Sequence, residues 1–338
     1  MNKKIDKSLN TSLDFFKTLD AGLTGDKSNN PINISEENVG NITNGRVVAA
    51  HGRQYVVQLN DGRFLPSFPR GKKSNVACGD FVQIMEIGNY QGVIENIQPR
   101  HSLFYRASEA RQKLIAANVD LVIVVAAVEP DFSDDLIACA LLAAESEEID
   151  TLILLNKCDI AIPEEKLNNI HERLRIFTDI GYDVLEISAK TSQGLDELIP
   201  LLEGRTSVLV GQSGMGKSSL INRLIPGAQA TTGEISRALN SGRHTTTNAT
   251  LYRLNAEDKH NKSAIIDSPG LQEFGLGHLD REEVEFAFRE FRPYLRQCRF
   301  RDCRHWQEPD CALLEAFENG EIHPKRFDLF RRLIQNKY

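Results

Sequence analysis

Three hydrophobic patterns follow one another along the 338-residue chain. Residues 1–38 are polar, rich in Asn, Ser, Lys and Asp, with no sustained period. They read as a flexible leader holding at most a short helix around Ser12–Leu19. From residue 40 the apolar positions fall in short runs broken by turn residues: Gly45–His51, Gln54–Leu59, Arg63–Leu65, Phe81–Ile87 and Gln91–Ile97. Asn60-Asp61-Gly62 marks a hairpin, because Asp-Gly supplies the positive φ angles a tight turn requires. Five short strands in about sixty residues predict a small β-barrel of the oligonucleotide-binding (OB) type over 39–105.

Beyond residue 118 apolar runs alternate with helical periods. Val119–Ala127, Thr151–Leu155, Asp183–Ile187 and Ser207–Val210 read as strands. Ser133–Ala144, Glu164–Ile180, Leu195–Leu202 and a segment from Lys217 read as helices. Near-continuous Val/Ile/Leu strands separated by helices predict a parallel sheet covered on both faces, here an α/β domain over 106–277. Residues 278–338 have helical spacing and ten aromatics from Phe286 to Tyr338, which predicts a mainly helical module with an aromatic core.

Composition narrows the function classes. A bilayer span needs ~20 consecutive apolar residues, and the runs Leu121–Val128 and Leu136–Ala144 are far shorter. The N-terminus has lysines but no apolar stretch before a small-residue cleavage site, so a cytoplasmic chain is expected, with no membrane partner. No apolar heptad calls for an oligomer, and a monomer is the expectation. The net charge of −7 conceals local excesses. Residues 40–106 carry eight Lys/Arg against four Asp/Glu, and Arg289–Arg304 holds six arginines against two acids. Such faces permit polyanion binding without proving it. Arg70, Lys72 and Lys73 fall in the longest loop of the predicted barrel.

Ligands of parallel α/β sheets bind at the carboxyl ends of the strands, and the motifs lie there. Gly211-Gln212-Ser213-Gly214-Met215-Gly216-Lys217-Ser218, continued by Ser219, follows strand Ser207–Val210 and opens a helix. This is the context of a phosphate-binding P-loop, in which backbone N–H groups and the helix N-terminus converge on phosphate. Lys217 is the candidate for the β- and γ-phosphates and Ser218 for Mg²⁺. Asn156-Lys157-Cys158-Asp159 follows strand Thr151–Leu155. The Asp159 carboxylate can accept from guanine N1–H and its exocyclic amine, a pairing adenine lacks, and unpaired polar groups penalise the wrong base. Asn156 is placed at the purine N7 edge and at fixing the loop, with the Lys157 stem over the base. Ser188-Ala189-Lys190, after the next strand, can offer a backbone N–H to the guanine carbonyl. Asp267-Ser268-Pro269-Gly270 follows Ala264–Ile266; Asp267 would reach Mg²⁺ through water and Gly270 would sense the γ-phosphate. In Gly242-Arg243-His244-Thr245-Thr246-Thr247, Thr246 is the candidate for the remaining Mg²⁺ ligand. Leu271 stands where many GTPases carry a water-orienting Gln, so slow intrinsic hydrolysis is expected, with His244 as the candidate catalytic group.

Three cysteines and a histidine fall within fourteen residues as Cys298-x4-Cys303-x-His305-x5-Cys311. Cys₃His is a common ligand set for structural tetrahedral Zn²⁺ and leaves no open coordination position.

The base-reading motifs precede the phosphate loop, the reverse of the usual GTPase order. A circular permutation builds the same sheet, since neighbours in space need not be neighbours in sequence. Permuted NKCD, SAK, GQSGMGKSS, GRHTTT and DSPG, with a barrel before and C-x4-C-x-H-x5-C after, resemble the ribosome small subunit-dependent GTPase A family (RsgA, YjeQ, YloQ) over 40–338. The resemblance implies a GTPase of late small-subunit (30S) maturation. It would be stimulated by that subunit, leave after hydrolysis, and touch 16S rRNA through the barrel and zinc module. The residues alone leave open a GTP-dependent switch on a non-ribosomal protein, or an RNA-binding module whose G domain only holds nucleotide.

Overall fold

The computed structural model describes residues 40–71, 75–88, 91–108, 111–225, 228, 249–254, 263–268 and 276–335. The leader 1–38, Lys72, Lys73, His244, Thr246, Gly270 and Leu271 lie outside them. Five strands form the N-terminal barrel: β1 (Ile42–His51), β2 (Gln54–Leu59), β3 (Phe64–Pro69), β4 (Phe81–Ile87) and β5 (Gln91–Ile97). They run in the order β1-β2-β3-β5-β4, and β4 pairs back onto β1 to close the ring. The β3–β5 pairing is parallel and the other four are antiparallel. Val47, Tyr55, Val57, Leu59, Leu65, Val82, Ile84 and Ile94 fill the interior. β3 runs on through Pro66 to Pro69, past the Leu65 end expected from the sequence. Arg70 therefore stands directly at a strand end, where it pairs with Glu95.

A hairpin of β6 (Leu103–Ser108) and β7 (Arg111–Ala117) straddles residue 106 and has no counterpart in the sequence reading. Then follow β8 (Leu121–Ala127), α1 (Asp134–Glu145), β9 (Asp150–Asn156), α2 (Glu164–Thr178), β10 (Val184–Glu186), α3 (Leu195–Leu202), β11 (Thr206–Val210) and α4 (Lys217–Leu224). Strands β12 (Ala249–Arg253) and β13 (Ala264–Asp267) complete the sheet. Its spatial order is β10-β9-β8-β11-β13-β12. β10, β9, β8, β11 and β13 are mutually parallel, and only β12 runs against its neighbour. All seven side chains of β8 are buried, as a strand covered on both faces requires. The chain enters this sheet at β8, beside the central P-loop strand β11, so the domain is permuted.

The barrel is joined to this domain by main chain. Ala49 and Ala50 of β1 pair with Thr250 and Ala249 of β12, merging both sheets. A β-bulge between Val47 and Ala49 lets β1 bend from the barrel into that pairing. Arg46, 6% exposed, crosses the junction and donates from Nη2 to Thr206 Oγ1 at 2.7 Å.

The C-terminal module comprises α5 (Arg281–Ala287), a 3₁₀ turn (Arg289–Phe291), α6 (Ala312–Glu318) and α7 (Pro324–Gln335). Phe288, Phe291, Phe327 and Phe330 are completely buried and interlock, with Phe288 stacked on Phe291 at 4.6 Å and Phe330 edge-on to Phe291 at 5.0 Å. These four aromatics are core, while Phe286 and Phe300 remain exposed. The module docks on α1 at both ends. Glu145 accepts from Arg289 and Arg292, Asp134 from Lys325 at 3.0 Å, and Asp135 from both Arg332 terminal nitrogens at 2.7 and 2.9 Å.

Candidate nucleotide site and metal centre

Every parallel strand of the central sheet points its carboxyl end toward the same edge. The turns there carry Glu129–Ser133, NKCD, SAK, the P-loop and Asp267-Ser268. One side chain ties three of these turns together. Asn156, 1% exposed at the end of β9, donates from Nδ2 to Met215 O at 2.9 Å and accepts on Oδ1 from Ala189 N at 3.1 Å. Its amide thereby ties NKCD to both the P-loop and SAK.

The phosphate loop leaves β11 through Gly211, whose φ of +147° and approach to β8 admit no side chain: a Cβ there would lie 2.3 Å from Val125 O. Gly216 opens α4 at φ +93°, and a Cβ there would meet Asn156 Nδ2 at 2.4 Å. These glycines let the loop wrap tightly enough to turn its N–H groups inward. Lys217 is buried and donates to Gly211 O at 2.7 Å and Gln212 O at 2.8 Å, which leaves one ammonium proton for a phosphate. Burial pulls its pKa down to about 8, partly offset by Asp267. Burial pushes Asp267 up to about 6, against the attraction of Lys217. A desolvated cation and carboxylate at adjacent strand ends suit the phosphates and Mg²⁺ that would share them. The Gln212 side chain accepts from Ser133 N at 2.8 Å, and the Ser133 hydroxyl in turn caps α1 at Leu136 N.

The base-reading side is equally organised. Ser188 Oγ donates to Asp159 Oδ1 at 2.7 Å, and that bond is the main reason the Asp159 pKa lies below its ordinary value. The carboxylate is thus held ionised, an acceptor-only group in the turn after β9. Lys190 Nζ lies 3.7 Å from Asp159 Oδ2. Lys157 adopts φ +67° and donates to Glu129 O at 2.7 Å, while burial lowers its pKa. Cys158 is half-buried, its thiol pushed up to about 11 chiefly by desolvation. Ser213, Gly214, Met215, Ser218 and Ser219 fall on the same loop and helix start.

The second cluster is local. Cys298, Cys303, His305 and Cys311 bring four ligand atoms within 4.8 Å of one another. Tetrahedral zinc with ~2.3 Å bonds to sulfur and ~2.05 Å to nitrogen implies edges of about 3.8 Å between sulfurs and about 3.5 Å from sulfur to nitrogen. Cys298 and Cys311 sulfurs stand 3.8 Å apart, and His305 Nδ1 lies 3.5, 3.5 and 3.2 Å from Cys298, Cys303 and Cys311. The donors therefore fit a closed tetrahedral ion. Glu308, absent from the sequence reading, accepts the backbone N–H groups of Arg304, Trp306 and Gln307 and shapes the knuckle. Burial opposes its charge, yet those N–H bonds bring its pKa down to about 2.

An OB-type barrel, a permuted P-loop domain whose NKCD and SAK turns meet the phosphate loop at one sheet edge, and a helical module with a Cys₃His cluster define a circularly permuted GTPase. The RsgA GTPase family model matches residues 97–277. The small ribosomal subunit biogenesis GTPase RsgA of Burkholderia pseudomallei (strain K96243) is 50% identical over 293 residues, covering 86% of this chain and 91% of that protein. The protein of the same name from Nitrosomonas europaea is 47% identical over 304 residues, covering 90% and 95%. The crystal structure of YjeQ from Thermotoga maritima superposes with a TM-score of 0.66 at 31% identity, over 87% of this chain and 98% of that one. YloQ, described as a circularly permuted GTPase, shares the fold with a TM-score of 0.62 at 23% identity, covering 90% and 97%. The chain belongs to the RsgA GTPase family.

Proposed function

We propose that this GTPase acts in late maturation of the small ribosomal subunit. It would bind GTP with Mg²⁺, hydrolyse it on meeting the subunit, and dissociate afterwards. The observation that carries the GTPase reading is the shared edge at which Asn156 couples the P-loop, NKCD and SAK. The ribosomal assignment is supported by relatives about half identical over nearly their whole length, each named for small ribosomal subunit biogenesis.

In this reading Asp159 takes the guanine N1–H and amine, and the 211–219 loop wraps the phosphates. The Ser188-Ala189-Lys190 turn offers the Lys190 backbone N–H to the guanine carbonyl, the N–H groups of Ser188 and Ala189 being held by Gln193 O and Asn156 Oδ1. Lys217 turns its free proton to the β- and γ-phosphates. Ser218, Asp267 and, beyond the described residues, Thr246 would hold Mg²⁺, which supplies charge neutralisation on the transferring phosphoryl group. Gly270 senses the γ-phosphate and His244 orients the attacking water; both also lie outside the described residues. Zinc at Cys298, Cys303, His305 and Cys311 serves structure alone, because four protein ligands leave no position for substrate. The division of labour follows 1–38 as leader, 39–105 as barrel, 106–277 as G domain and 278–338 as zinc module. Barrel and zinc module reach 16S rRNA. The chain works as a cytoplasmic monomer; none of its described helices is long and apolar enough to cross a membrane.

Steady-state GTP hydrolysis with purified small subunits tests this, with large subunits and ATP as controls. Stimulation by small subunits alone is the expected result. Equal turnover with and without them would leave a GTPase whose partner is a different macromolecule. Unchanged stimulated turnover in His244→Ala would remove that residue from catalysis.

A further inference from the structure

Helix α5 turns one carboxylate toward the metal cluster. Glu285 Oε1 lies 3.5 Å from His305 Nε2, the ring nitrogen opposite the Nδ1 that meets the three sulfurs. Both side chains are nearly sealed from solvent, at 12% and 6% exposure. Arg281, one turn earlier on α5, donates from Nε to the same Glu285 oxygen at 2.7 Å, and its Nη2 reaches Cys303 O.

An imidazole that coordinates through Nδ1 carries its proton on Nε2. Such a buried N–H is costly unless an acceptor meets it. A carboxylate in that position also fixes the ring orientation and raises the basicity of the coordinating nitrogen. We propose that Glu285 is the outer-sphere carboxylate of the metal centre, holding His305 in its ligating tautomer and orientation. This rests on the reading of Cys298, Cys303, His305 and Cys311 as a zinc site. Arg281 braces the carboxylate and the Cys303 carbonyl together, so the knuckle is tied to α5 and does not hang from its own loop. Helix α5 stands at the start of the module, and α1 carries the docking contacts of the same module through Glu145. Metal occupancy is thereby joined to the point where the chain leaves the G domain.

A plain i,i+4 ion pair between Arg281 and Glu285 is the competing role, and the two separate experimentally. The test uses the full-length chain: zinc content, then zinc affinity by chelator competition, then the absorption bands of the Co²⁺-substituted protein. Wild type is expected to hold about one zinc per chain, as a four-ligand structural site does. Glu285→Ala is expected to lower zinc affinity about 10–100-fold, the usual effect of losing such a partner, and to shift the cobalt bands. Glu285→Gln, whose amide oxygen still accepts from Nε2–H, recovers most of both. Arg281→Met, which leaves the carboxylate, changes affinity far less than Glu285→Ala. Wild-type affinity and unshifted bands in Glu285→Ala overturn the assignment alone. So does an Arg281→Met loss equal to that of Glu285→Ala without rescue by Gln. A wild-type chain without bound metal overturns the zinc reading and this assignment with it.

Discussion

The nucleotide cleft gathers its groups from turns spread between Glu129 and Ser268 and holds them with hydrogen bonds inside the protein. The Cys₃His cluster gathers four within the single stretch Cys298 to Cys311, and the side chains that brace it, Glu308 and Arg281, hold backbone groups around the ligands. In the cleft, Asn156, Ser188, Gln212 and Lys217 each have protein partners before any nucleotide is considered. In the cluster, three thiols and an imidazole face one another, a set of donors that could hold a metal ion. The cleft is a product of its fold; zinc at the cluster would be a condition of its fold.

The largest expected effect follows from that contrast. Structural zinc contributes on the order of 10 kcal/mol of apparent binding energy in small domains, and that energy is folding energy. Chelation, or Cys311→Ser at the N-cap of α6, is expected to melt the module, with loss of helical signal from 281–335 and rapid proteolysis there. Nucleotide binding by the G domain should persist. A calorimetric trace unchanged by chelator would place the module's stability in its Phe288–Phe291–Phe327–Phe330 core and dissolve the contrast.

Asn156→Ala probes the opposite case. It orphans Met215 O and Ala189 N together, and each buried unpaired group costs about 1–3 kcal/mol. If the cleft is preorganised, GDP affinity measured with a fluorescent analogue should fall about 30-fold or more, while zinc content stays constant. A drop below about threefold would mean that nucleotide itself organises the turns, as the ion does at the cluster.

A pH series sharpens the picture of the cleft. Asp267 titrates near 6 in the folded chain against an ordinary value near 3.8, so between those values the folded state holds a proton the unfolded state has lost. Stability relative to Asp267→Asn should therefore be greatest below about pH 4, decline through pH 4 to 6, and flatten above. Urea unfolding at pH 4, 5, 6 and 7 reads this directly. A difference that rises with pH would show that partners at Asp267 outweigh its burial.

Much of this was legible in the chain because motif chemistry is local. The P-loop glycines, NKCD and SAK each follow directly on a strong apolar run, and their turns lie at the carboxyl ends of β11, β9 and β10; the Cys₃His spacing was legible from its own four residues, between the 3₁₀ turn and α6. What escaped was non-local. Strand β12 is five residues long, and its place is set by β1 of the barrel, some two hundred positions away in sequence. The β6–β7 pair carries Arg106, Arg111 and Lys113 in its strand sequences, and neither strand holds a Gly or Pro that would have marked its end. Pro66 and Pro69 hid the second half of β3, since proline ordinarily opposes a strand. The barrel's positive balance was visible, its pairing was not. Arg63 is engaged by Asp61 and Glu86, Arg70 by Glu95, Arg100 by Asp80, and Arg46 is buried. Composition counts charges; only the fold says which of them face outward.

The smallest effects lie where the two regions meet, along α1. At its C-terminal end Glu145 is 8% exposed and accepts from Arg289 and Arg292, with Arg289 also stacked 4.0 Å over Tyr182. At its N-terminal end Asp135 and Arg332 are both more than half exposed. Removing one partner of a desolvated group leaves charge without compensation, whereas an exposed pair is worth about 0–1 kcal/mol. Glu145→Gln should therefore loosen the docked module by about 1–3 kcal/mol, seen as merging or reordering of the calorimetric transitions. Asp135→Asn should shift them by less than about 1 kcal/mol and lose even that in high salt. If Asp135→Asn proves the more disruptive, the module is held chiefly at the end of α1 that Ser133 and Gln212 connect to the P-loop. The cleft and the metal module would then share a mechanical contact as well as a chain.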